Sequence, residues 1–115
     1  MGAKNKVIAG DYEGCIVDGI FDEFYIVLGW NNKVSLNKNT IAEYEVIDQE
    51  NRKSATSAVG RAFVGAVLLG GVGLLAGLSA RRKGIYTVAI AFNDGKKSLI
   101  EIDEKRYKKL LKIMF

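Results

Sequence analysis

At 115 residues and 12.6 kDa the chain holds one small domain with one core. Hydrophobic residues make up 49% and charged residues 26%, the balance of a folded chain rather than a disordered one. There is no His, no Pro and a single Cys. That removes His-based zinc hydrolysis, Ser-His-Asp and Cys-His catalysis and any internal disulfide, and it fits a reducing interior.

The net charge of +4 hides a division: residues 1–50 carry 4 Lys or Arg against 9 Asp or Glu, and residues 51–115 carry 13 against 4. Acids gather early at Asp11, Glu13, Asp18, Asp22 and Glu23, and bases late at Lys96 and Lys97 and from Lys105 to Lys112. Such polarity seats an anionic partner on the late half or pairs two copies, acidic face to basic face; the plainer reading is solvated surface.

Met1–Lys6 leads into mixed strand-like sequence rather than an apolar stretch, so no secretory signal is expected. Strand-like sequence runs from about Lys6 to Asp48. Tyr12–Val17 alternates loosely and ends at Asp18-Gly19, a turn dipeptide. Phe24–Trp30 is aromatic and β-branched, stops at Asn31-Asn32, and is expected to pair with Lys33–Leu36 as a hairpin. In Ile41–Asp48, strand spacing puts Ile41, Glu43, Glu45 and Ile47 on one face and Tyr44 and Val46 on the inward one. Phe24 and Trp30 read as core.

From about Gln49 to Gly84 the pattern changes. Ala62–Ala80 is 19 residues without a charge, bounded by Arg61 and by Arg81-Arg82-Lys83. Its length reaches that of a membrane-spanning helix, about 18 residues or more. Gly65, Gly70, Gly71, Gly73 and Gly77 argue against one, since each Gly in a helix interior costs about 1 kcal/mol relative to Ala. Ala58, Ala62, Ala66 and Gly70 recur every four residues, as do Gly73 and Gly77, which lines a helical face with small side chains. Two short helices, about Ala58–Leu69 and Val72–Ala80, reversing at Gly70-Gly71, are the expected arrangement.

Ile85–Phe92 returns to strand, Asn93-Asp94-Gly95 turns, and Lys97–Ile102 pairs back. Asp103 caps a closing helix. Tyr107, Leu110, Leu111, Met114 and Phe115 form its apolar stripe, with Lys105, Lys108, Lys109 and Lys112 outward. The expected fold class is α+β: a small antiparallel β-barrel or sheet (strands about 6–48 and 85–102), an apolar helical hairpin inserted at about 56–82, and a C-terminal helix over about 103–115.

Gly60-Arg61-Ala62, Gly65, Gly70, Gly73, Gly77 and Arg82-Lys83, followed by IYTVAIAFNDGKKSLIEI and a Tyr-containing helix, carry a resemblance. Over its last 60 residues or so the chain resembles a glycine-rich module in small proteins of Gram-positive bacteria and their phages. The resemblance implies a pleckstrin-homology-like small barrel capped by a C-terminal helix. Gly70-Gly71 stands where those proteins often carry Gly-Pro. Small barrels host unrelated functions, so the likeness bears on architecture.

Site chemistry is sparse. The glycines lack the Gly-Lys-Ser/Thr ending of a phosphate loop and the strand and ribose-binding acid of a dinucleotide fold. Asp22-Glu23 and Asp11/Glu13 are candidate acid–base pairs whose plainer reading is solvated turns, and Asp18, Asp22 and Glu23 lack the spacing of a calcium loop. Cys15, in a strand pattern, reads as a buried small residue. No catalytic residue, metal site or cofactor is expected, and an enzyme is the least favoured class.

Arg61, Arg81, Arg82 and Lys83 are the candidate anion-binding residues, against the plainer reading of bases at a helix end. Ala62, Gly65, Ala66, Gly70, Gly73 and Gly77 are the candidate oligomer or membrane contacts. The expected function is a non-enzymatic binding or assembly module, cytoplasmic, self-associating through the hairpin. The alternatives are an oligomer that sequesters a small anionic ligand such as a signalling nucleotide, of the phage anti-defence kind, and peripheral association with an anionic membrane through the hairpin. Nucleic acid is disfavoured as a partner.

Overall fold

The computed structural model describes residues 5–47, 58–62 and 84–115. Among the described residues, seven strands, β1 (Lys6–Gly10), β2 (Ile16–Ile20), β3 (Glu23–Gly29), β4 (Asn32–Ser35), β5 (Ile41–Ile47), β6 (Ile85–Phe92) and β7 (Lys97–Asp103), precede a closing helix, α1 (Glu104–Met114). All pair antiparallel in one sheet of order β4-β3-β2-β1-β7-β6-β5. Two meanders, β1–β4 and β5–β7, are joined where Lys6 faces Glu101 and Gly10 faces Ser98. The α+β architecture and its antiparallel sheet are as expected.

The short connection from β4 to β5 forces the sheet to curl. These strands occupy opposite edges of the seven-stranded sheet. If flat, six strand spacings would separate them by roughly 29 Å. The six residue steps from Ser35 to Ile41 span at most about 21 Å fully extended. The connection is itself a tight turn, in which the Asn37 side chain accepts from the backbone N–H of Asn39 (2.8 Å) and Thr40 (3.2 Å). Asn93, at the end of the β6 strand, donates to the carbonyls of Thr40 (2.8 Å) and Asn39 (2.6 Å). The result is a half-barrel.

Twelve residues, from Val7 and Val17 through Phe24, Ile26, Ile90 and Ile100 to Leu110 of α1, fill its main core. A second cluster lies on the other face: Ala9, Ile47, Ala89 and Leu99, closed by Val59 of a helical segment at 58–62. Two bulges arrange the faces. In β1 the register shifts between Val7 and Ala9, which places Val7 opposite Ile100 in the main core and Ala9 opposite Leu99 in the second cluster. In β5 a shift between Ile41 and Glu43 brings Ile41 into the main core with Tyr44 and Val46 and leaves Ile47 on the second face. The simple alternation expected for β5 holds for Tyr44 and Val46 and fails for Ile41.

Three further expectations need correction. Asp18-Gly19 lies within β2, and the turn falls at Phe21-Asp22. Gly19 serves a close approach: a Cβ there would meet Lys109 Cδ at 2.6 Å and the Glu23 carbonyl at 2.8 Å. Trp30 is 94% exposed because the β3–β4 turn is Trp30-Asn31, with Asn31 at φ 57°, so Trp30 leaves the strand. Phe115 is 90% exposed beyond the end of α1, and Leu110 is the fully buried residue of the expected stripe.

Asp103 caps α1 as expected, accepting from Arg106 N at 2.9 Å. No helix among the described residues is long and apolar enough to cross a membrane. Of the glycine-rich hairpin expected at about 56–82, residues 56–57 and 63–82 lie outside the described residues; the part at 58–62 is helical.

Candidate functional site

The chemistry concentrates where the β2–β3 turn meets α1. Arg106 is held inward: its guanidinium donates to Val17 O (3.1 Å), Asp103 Oδ2 (2.8 Å) and Asp18 Oδ1 (3.1 Å). Asp103 N in turn donates to Asn5 Oδ1 at 2.9 Å, so the network ties the chain's start, β2 and the cap of α1 together. With its arginine committed to structure, α1 turns only lysines outward on its next face. Lys105, Lys108 and Lys112 are exposed; Lys109 is half-buried, and its ammonium donates to the Phe21 carbonyl.

Lys105, Lys108, Lys109 and Lys112, with Ile113, form one wall of an open groove of about 530 Å³. Phe21 and Asp22 of the turn form the other. Phe21 is 90% exposed and sits at φ 56°, a left-handed conformation that side chains other than Gly, Asn and Asp seldom take. Ile20 beside it is 53% exposed. An apolar tip is therefore clamped by Lys109 against a row of ammonium groups. Glu104 and Asp22 are the acids at hand; Glu104 lies 3.9 Å from Lys108.

Of the acids considered as acid–base or cation sites, Asp22 lines the groove and three others are held in structural contacts. Asp18 engages Arg106, Glu23 pairs with Lys33 at 3.2 Å, and Asp11 accepts from Lys97 N at 2.9 Å to fasten a turn. Among the described residues no three His, Cys, Asp or Glu side chains group to hold a metal ion. Cys15 is a free, half-buried thiol packed against the main core. The Asp94 carboxyl is lowered from its ordinary range, first by the Lys96 backbone N–H and also by the Lys96 ammonium. Tyr107, stacked on Tyr86 at 4.1 Å between ring centres, is raised by burial and then by Tyr44 and Tyr86.

Of the expected anion-binding residues, Arg61 lies exposed on the helical segment at 58–62, away from the lysine groove in the fold, and Arg81, Arg82 and Lys83 lie outside the described residues. Of the expected contact residues, Ala62 is exposed on that segment, and Gly65, Ala66, Gly70, Gly73 and Gly77 lie outside. The structure does fix how the glycine-rich run begins. Glu43 of β5 accepts from Val59 N at 3.0 Å, and Val59 is fully buried on the second face. No family model, curated protein or solved structure matches the chain.

Nothing in the sequence order marks the groove. Its lysines read as a solvated helix face, and nothing in the spacing joins them to a turn about 85 positions earlier. The signal was present in one place: Gly-Ile-Phe-Asp puts a large aromatic residue in a two-residue turn, where polar residues or glycine are usual.

Proposed function

We propose that the chain is a non-enzymatic binding and assembly module that self-associates through its glycine-rich run. The supporting observation is the seat of that run. Val59 is fully buried among Ala9, Ile47, Ala89 and Leu99, so the run is anchored next to a continuous apolar sheet face. A run of 19 uncharged residues following that anchor exceeds what one small barrel readily covers, and a second copy supplies the missing surface. Glycines and alanines at four-residue spacing admit the close backbone approach such packing needs. The curled sheet with a helix across one end also supports the pleckstrin-homology-like reading of the barrel, which belongs to the same proposal.

Sedimentation equilibrium on the full chain tests it. The wild type is expected at a multiple of the 12.6 kDa chain mass. Gly73→Leu, which removes a small-residue contact, is expected to shift the population toward monomer with the sheet's circular dichroism unchanged. A wild type that stays monomeric at high micromolar concentration overturns the proposal.

A second reading rests on the groove. Four lysines around an open cleft give this module an anionic partner, whatever its oligomeric state.

A further inference from the structure

We propose that the Phe21 turn and the lysine face of α1 together form a docking surface for an anionic lipid bilayer, with Phe21 entering the interface and Lys105, Lys108 and Lys112 resting at the headgroups. The surface is separate from the glycine-rich run and does not depend on self-association. It sharpens the anionic-partner reading of the groove by naming the partner.

Three observations select a membrane. The exposed Phe21 lines the groove beside the cations, and interfacial binding combines buried apolar surface with attraction to anionic lipids. The outward cations are all lysines, while Arg106, the one side chain on α1 able to grip a phosphate with a planar fork, is consumed by Asp18 and Asp103. That is the equipment for a diffuse negative surface rather than for one phosphate group. The third is stacking. Only Phe21 among the groove's residues is aromatic, and Trp30 projects from the opposite end of β3, so no row of aromatic platforms accompanies the lysines as a single-stranded nucleic acid would require.

Backbone geometry reinforces this. Phe21 holds a left-handed conformation, although Asn or Gly would fit the turn with less strain. Lys109 holds the turn from the helix side, so the aromatic tip is presented in a fixed place rather than on a loose loop. A bulky, exposed side chain kept in such a position is a local conflict with folding that binding explains.

Flotation of the full chain with vesicles of phosphatidylcholine, alone or mixed with phosphatidylserine, is the test. Binding is expected only to the phosphatidylserine vesicles and is expected to weaken as salt is raised. Replacing Lys105, Lys108 and Lys112 with Gln is expected to weaken partitioning about a hundredfold, at about fivefold per lysine. Phe21→Asn, which suits the left-handed turn, is expected to keep the urea midpoint and lose about tenfold in partitioning. Equal binding to both vesicle types, or unchanged binding by both folded variants, overturns the proposal. So does a chain that fails to float yet binds an oligonucleotide through the same lysines, which would retain the anionic-partner reading and move it to nucleic acid. Loss of binding in Gly73→Leu with the lysine variant unaffected would assign the membrane contact to the glycine-rich run instead.

Discussion

The two halves of the sheet solve different burial problems. In β6 and β7 almost every residue from Thr87 to Ile102 within the strands is buried, on both faces; β6 reads as a near-continuous apolar run, IYTVAIAF, and β7 buries Ser98 and Glu101 beside Leu99, Ile100 and Ile102. In β2, β3 and β4 one face packs on the core and the other meets solvent, leaving Ile16 and Ile20 half-exposed and Lys33 lying over the Tyr25 ring at 4.6 Å. The difference teaches that the glycine-rich insertion is attached to the half of the sheet that has a second face to cover. Val59, anchored by Glu43, is where that cover begins.

The sharpest way to break this comparison is to shave one side chain from each half. Leu99→Ala opens a cavity on the doubly covered half and is expected to destabilise by about 2–5 kcal/mol in urea unfolding, a large share of a small domain's stability. Ile20→Ala, on the half-exposed outer face of β2, is expected to stay within about 0.5 kcal/mol of wild type. Similar losses at both positions would dissolve the distinction. Next in size is the junction with α1. Arg106→Ala strips Asp18, Asp103 and the Val17 carbonyl of their shared donor and is expected to lose about 1–3 kcal/mol. Gly19→Ala should fall in the same range, because its new Cβ meets the Glu23 carbonyl at 2.8 Å and backbone must move.

The smallest effects are at the extremes of pH. Tyr107 is raised in the folded chain, so the native state keeps a proton that the unfolded state releases near pH 10, and stability should fall as pH climbs beyond that point. Tyr107→Phe is expected to flatten the alkaline limb of a thermal-melt series. The lowered carboxyl of Asp94 acts on the other side: its contribution is present above the ordinary carboxylate range and is lost as pH falls through its folded value. Asp94→Asn is expected to flatten the acid limb slightly.

Much of this architecture is legible in the chain. Hairpin signals at Asn31-Asn32 and Asn93-Asp94-Gly95 fall at or within one residue of real turns, and the Asp103 cap with its following apolar period marks α1. Bulges are what the sequence hides. The extra residues at Ile8 and Ala42 each shift a strand's facing by one, and no local pattern announces them. Asp18-Gly19 misleads for a related reason: the dipeptide has turn chemistry, but its glycine is needed to let the Lys109 side chain pass. The groove stayed hidden because it joins residues far apart in the chain, and only the folded sheet brings Phe21 under α1.

The pairing of β1 with β7 has a kinetic side. Among the described residues the first strand finds its partner in the last, across 95 positions between Lys6 and Glu101, and that pairing is the one strand junction between the two meanders. Loop closure over such a distance is slow compared with forming either meander alone. During synthesis the leading hairpins are therefore expected to wait, half-built and with one flank of β1 unpaired, until the final strand has left the ribosome. Moving the chain ends into the Trp30-Asn31 turn and linking the present ones would make β7 and β1 neighbours, and refolding by stopped flow should quicken.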